Sequence, residues 1–83
     1  MRVIELDAEK LNDRKESHIY LAKKLNLPEH YGRNLDALYD CLTEIDKTVI
    51  LFENEEKGVV NYRRIRQVFE DAAEANDGLI IVE

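Results

Sequence analysis

Three acids recur at four-residue intervals in this chain: Asp36, Asp40 and Glu44. An α-helix turns about 100° per residue, so with Asp36 at zero, Asp40 falls at about 40° and Glu44 at about 80°. On a helix the three carboxylates therefore share one stripe. Tyr39 and Thr43 fall on the same half, and Leu35, Leu38, Cys41 and Leu42 lie opposite. Like charges at this spacing destabilise a helix by about 0.2–0.5 kcal/mol per pair. Asp36 recovers part of that, because it sits in the first turn near the positive end of the helix dipole. Residues 27–46 hold five acids against one base, Arg33, and carry −4 of the net charge of −6. A solvated acidic face is one reading of this segment, and a docking surface for a cationic site is the other. Tyr39 beside the acids favours docking, since aromatic side chains are enriched at protein interfaces.

Other chemistry finds less support. An enzyme could use His30 as base with Asp36 or Asp40 as acid, but no nucleophile, metal-ligand spacing or phosphate loop accompanies them. Asp36 and Asp40 alone lack the further oxygen ligands that calcium or magnesium requires. No cofactor or metal is expected. His18 falls on an apolar helical face and reads as a core or boundary histidine. Cys41 is the single cysteine; it reads as a small buried hydrophobe rather than a nucleophile and excludes an internal disulfide. Tyr20, Tyr31 and Tyr62 read as packing residues with solvated tips, and the bases at 10, 14, 15, 23 and 24 as a solvated face.

The elements that must position these residues follow from 83 residues, 45% of them hydrophobic, enough for one domain with a modest core. No apolar run approaches the ~18 residues of a membrane span. Met1 and Arg2 lead straight into a strand-like run with no signal-peptide core, so a cytoplasmic location is expected. The acidic balance repels nucleic acid and steers the chain toward basic proteins.

Residues 3–6 read as a strand. Asp13 with Glu16 three positions on forms a candidate capping box for a helix to about 25, whose apolar face is His18, Leu21, Ala22 and Leu25. Pro28 marks a boundary, and 27–33 reads as a loop. Asn34 is a good N-cap for a helix over about 35–43. The run TVILF at 48–52 reads as a strand covered on both faces. Asn61 can cap a third helix to about 76, with Ile65, Val68, Phe69, Ala72 and Ala75 inward. Asp77-Gly78 stops it, and LIIV at 79–82 is the last strand. The order is β-α-α-β-α-β, an α/β class with a three-stranded parallel sheet and packed helices in one domain over 1–83.

The segment 27–43, LPEHYGRNLDALYDCLT, resembles the signature of the barstar family: a Leu-Pro-Glu entry, an aromatic-glycine turn, then Asn-Leu-Asp-Ala-Leu, an aromatic, and Asp-Cys-Leu-Thr. The resemblance continues through Val68-Phe69 and the final strand. It implies an intracellular inhibitor whose loop and second helix plug the active site of an extracellular, barnase-type guanyl-specific ribonuclease. Carried over residue by residue, Asp40 matches the aspartate that enters the phosphate site, and Asp36 a second aspartate that pairs with basic residues. Tyr39 matches an interface aromatic that is usually tryptophan. Gly32, Asn34 and Leu35 match loop and helix-start contacts, and Thr43 closes the matching segment. His30 stands where a tyrosine stacks on a catalytic histidine of the enzyme, and Asp71 matches a rim glutamate on the third helix. Ile45 replaces a second interface tryptophan, Glu44 replaces a glycine, and the loop after Glu53 is about six residues shorter, which leaves out a small helix. An immunity or regulatory module of the same fold with another client is the alternative.

Overall fold

The computed structural model describes residues 1–82. The elements run β1 (Arg2–Asp7), a 3₁₀ turn (Ala8–Leu11), α1 (Arg14–Leu25), α2 (Leu35–Glu44), β2 (Thr48–Glu53), a second 3₁₀ turn (Glu55–Lys57), α3 (Val60–Ala75) and β3 (Leu79–Val82). The expected order β-α-α-β-α-β is present. The segment after Glu53, expected to lack a small helix, holds the short 3₁₀ turn Glu55–Lys57.

The first two helices begin where a polar side chain satisfies their free N–H groups. The Asp13 carboxylate accepts from the N–H groups of Lys15 and Glu16 at 3.1 and 2.8 Å. Asn34 Oδ1 accepts from the Ala37 N–H at 2.8 Å. The third helix departs from expectation. Its N-cap is Val59, without a side-chain cap bond, and the Val59 N–H is satisfied by Asn12 Oδ1 at 2.8 Å. Asn61 turns inward and donates to the Leu11 carbonyl at 2.8 Å.

The three strands are parallel in the order β1-β2-β3. In that order, right-handed crossovers put every helix on the same face of the sheet. The core therefore lies between the sheet's inner face (Ile4, Leu6, Ile50 and Leu79) and the helices, from which Leu21, Leu25, Leu38, Leu42, Ile65 and Phe69 reach in. Burying each of the larger apolar side chains contributes about 1.5–3 kcal/mol. Phe52 packs edge-on to Tyr62 and Phe69, with ring centroids 5.7 and 5.3 Å apart.

The same topology corrects the reading of TVILF as covered on both faces. Thr48 and Ile50 are buried, but Val49 and Leu51 point to the outer face and remain half-buried. Neighbouring strands shield them, because among the described residues no helix crosses that side. Ala75, expected inward on α3, is exposed. The tyrosine tips also differ from expectation. The Tyr31 hydroxyl bonds to His18, the Tyr20 hydroxyl accepts from the Asp7 N–H at 2.9 Å, and the Tyr62 hydroxyl meets Glu55 and Arg66.

Candidate functional site

The geometry of the acidic stripe begins at the end of α1. Asn26 takes a left-handed conformation (φ 55°), and its N–H bonds back to the Ala22 carbonyl. The Tyr31 N–H closes a turn on the Pro28 carbonyl at 3.0 Å. Tyr31 then folds into the core, 8% exposed, where its hydroxyl lies 2.6 Å from His18 Nδ1. Burial pushes the hydroxyl pKa well above its ordinary value, with a smaller contribution from Cys41. Burial, then the Arg14 charge, lowers the His18 pKa. The neutral pair is therefore favoured, and the His18 tautomer sets which of the two groups donates. This anchor leaves His30 and Gly32 on the outside of the loop.

The loop meets α2 closely. A Cβ on Gly32 would lie 3.2 Å from the Ala37 Cβ and 3.3 Å from Asn34 Nδ2, so the glycine permits this approach. Arg33 adopts φ 54°, a left-handed conformation uncommon for a side chain other than glycine, asparagine or aspartate. Asn34 then caps α2 and also donates to the Gly32 carbonyl at 3.3 Å, tying loop to helix.

Along α2, Leu38 and Leu42 are fully buried, while Leu35 and Cys41 are half-buried. Asp36, Asp40 and Glu44 are all exposed, as the helical period requires. Among the described residues, none of the three forms an ion pair. Tyr39 is 37% exposed beside them. Thr43 is half-buried, and its hydroxyl donates to the Asp40 carbonyl at 2.9 Å. The far end of the helix is held by Asn76, which follows α3. Its Nδ2 donates to the carbonyls of Leu42 and Ile45, both at 2.9 Å, and its Oδ1 accepts from the Gly78 N–H. Sequence reading took Asn76 only as a helix end; its Asn-Asp-Gly context signals a turn but not the helix it reaches.

A groove of about 580 Å³ opens between the loop and α2. Leu27, Pro28 and Ile45 line it with apolar surface, and His30, Asp40 and Glu44 stand around it. Arg2 also reaches this wall, a residue that sequence reading passed over because it lies on β1. Of the residues expected at the site, the groove brings together His30, Gly32 and Asp40. Asn34 and Leu35 set the start of α2, and Asp36 and Tyr39 continue the exposed stripe. Asp71 is exposed on α3, which packs against α2, and accepts from Gln67 Nε2 at 3.0 Å.

The chemistry available here is electrostatic. Cys41 lines the groove, but burial, then the charges of Asp40 and Glu44, raise its pKa. It stays a thiol, a weak nucleophile. Among the described residues, no three His, Cys, Asp or Glu side chains gather as a metal site, and no helix is long and apolar enough to cross a membrane. What remains is a row of unpaired carboxylates on a helix fixed at both ends, next to a groove with a partly apolar wall.

A Bacillus subtilis (strain 168) protein named "Putative ribonuclease inhibitor YrdF" is 49% identical over 43 residues, which cover 52% of this chain and 47% of that protein. The match thus spans about half the length of this curated relative. The family model described as barstar (barnase inhibitor) matches residues 1–81, from β1 into β3, and the chain belongs to the barstar family.

Proposed function

We propose that this chain is a stoichiometric, non-enzymatic inhibitor that binds one-to-one to a secreted, barnase-type guanyl-specific ribonuclease. In this reading residues 1–83 act as one domain in the cytoplasm. The docking residues are His30, Gly32, Asn34, Leu35, Asp36, Tyr39, Asp40 and Thr43, with Asp71 at the rim. The observation that carries the reading is the unpaired stripe of Asp36, Asp40 and Glu44 on a helix capped by Asn34 and held by Asn76. A cleft that binds RNA phosphates is cationic. Carboxylates held at fixed spacing take the place of phosphate there, accept charge-assisted hydrogen bonds from arginine, and offer no bond to cleave. Opposite charges also speed encounter.

Family membership and the name of the Bacillus relative support a ribonuclease as the client. The second reading is a different client, as an immunity or regulatory module. Ile45 favours it: where the resemblance predicts an interface tryptophan, this chain has a half-buried isoleucine in the groove wall.

Titrating the protein into a barnase-type ribonuclease while following RNA cleavage separates the two readings. Loss of activity with a one-to-one endpoint is expected. Full cleavage in the presence of a large excess would refute the barnase-type client and leave the second.

A further inference from the structure

The outer face of the sheet is an exposed apolar surface that the proposed docking site does not use. Val3 is 62% exposed, Ile80 47% and Val82 42%. The pairing aligns Val3 with Val49 and Ile80, and Glu5 with Leu51 and Val82. Because side chains alternate along a strand, these residues form one continuous face. A contiguous exposed apolar face of this kind marks an interaction site.

The face is also polarised along the strands. At the end where the strands finish stand Asp7 and Glu53, with Glu5 one step inward. Glu5 and Glu53 touch, and this contact with a second carboxyl group is what raises the Glu53 pKa. At the opposite end stands Lys47, exposed and directly before β2; its carbonyl accepts from the Arg2 N–H at 3.0 Å, so the ladder and its alternation extend to it, in phase with Val49 and Leu51. Lys47 forms no ion pair among the described residues.

We infer that this face packs against the same face of a second copy of the chain, with the strands of the two copies antiparallel. A two-fold axis lying across the strands at the level of Ile50 puts positions three before it opposite positions three after it. Lys47 of each copy then meets Glu53 of the other, and Val49 meets Leu51. Two sheets stacked in this way sit about 10 Å apart with their inner faces interdigitated. The parallel alternative would bring Glu5, Asp7 and Glu53 of both copies together, and like charge disfavours it. Only five apolar side chains per copy (Val3, Val49, Leu51, Ile80 and Val82) make the contact, so the interface is small and the dimer a transient one. The α2 stripe lies in the helical layer on the other side of the sheet, so both copies keep it free. The inference does not depend on the client of that stripe.

Molar mass is measured by sedimentation over about 10 μM to 1 mM chain, and needs no ribonuclease. The parent is expected to rise from one chain toward two. Ile80→Lys and, separately, Val3→Lys should hold it at one chain while the circular dichroism spectrum stays that of the parent; Val3, the more exposed, serves if the first variant does not fold. Lys47→Glu should weaken association about fivefold or more, and adding Glu53→Lys should restore it. A parent that stays monomeric at 1 mM would overturn the inference. So would a dimer indifferent to the folded lysine variant, or a charge swap that fails to restore association.

Discussion

Replacing Asp40 with asparagine should stabilise the fold and weaken docking at once. Asp40 lies four residues after Asp36 and four before Glu44, all three exposed and without cationic partners among the described residues. The substitution keeps the side chain's shape and removes both like-charge pairs. At the usual magnitude per pair, the gain is about 0.4–1 kcal/mol at low salt, and it shrinks as salt screens the charges. In a domain of this size that raises the melting midpoint by a few degrees. The Thr43 hydroxyl bonds to the main-chain carbonyl of residue 40, so that contact is untouched.

Binding should move the other way. A charged residue at the centre of an interface typically costs about 2 kcal/mol or more when truncated, roughly a 30-fold loss of affinity. The barnase–barstar pair is one of the systems from which that general figure comes, so it is not independent of this family. The assay pairs thermal melts at low and moderate salt with a ribonuclease titration of the same preparation. A lowered melting midpoint would refute the view of the stripe as strained by its own charge. A midpoint that rises while inhibition is unchanged would refute docking through Asp40.

Three further predictions test what holds the site in place. Asn76→Ala removes both hydrogen bonds to the end of α2 and the one from the Gly78 N–H; at about 1 kcal/mol each, urea denaturation should show a loss of about 2–3 kcal/mol, and a loss under 0.5 kcal/mol would mean that α2 ends without its help. His18 has its pKa lowered on folding, by burial and then Arg14. The unfolded chain therefore binds the proton more readily, and stability falls as pH drops through the ordinary histidine value near 6.5 toward the lowered folded value. Urea midpoints at pH 7.5 and 5.5 should differ in that direction, and His18→Leu should flatten the difference. At Gly58, an added Cβ would run into the buried Tyr62 ring. Gly58→Ala should cost about 1–3 kcal/mol and show as a lower denaturant midpoint, while an unchanged midpoint would show that the ring moves aside freely.

What the sequence made legible is what local rules decide. Asp13 and Asn34 cap the helices they were expected to cap, because an N-cap acts within three residues of itself. The acids of α2 face outward because the helical period alone sets their direction. Misreadings came where a distant segment intervenes. Asn61 had the right type to cap α3, but the helix already begins at Val60, and Asn12, 47 residues before Val59, satisfies the Val59 N–H. TVILF was read as covered twice because an apolar run does not reveal strand order. With β2 in the centre and both crossovers on one side, its neighbours shield it where a helix layer was expected. The groove was invisible for the same reason: its walls come from β1, the end of α1, the loop and α2. No spacing within one segment records that meeting.

The division of labour within α2 explains how a destabilising stripe persists. Its inner side, Leu38 and Leu42, is fully buried and contributes several kcal/mol, well above the ~1 kcal/mol that three spaced acids take away. Asn34 and Asn76 hold the two ends from outside the helix, so neither cap depends on the outward-facing residues. The Tyr31–His18 contact fixes the preceding loop from beneath in the same way. Substitutions on the exposed stripe can therefore change charge and partner with little effect on the fold. Substitutions at Leu38, Leu42, Asn76 or Tyr31 should disturb the geometry on which every stripe residue depends. Such an arrangement lets one rigid scaffold present different docking chemistry to different clients, and residues such as His30, Tyr39 and Ile45 are where this chain's version of that chemistry would differ.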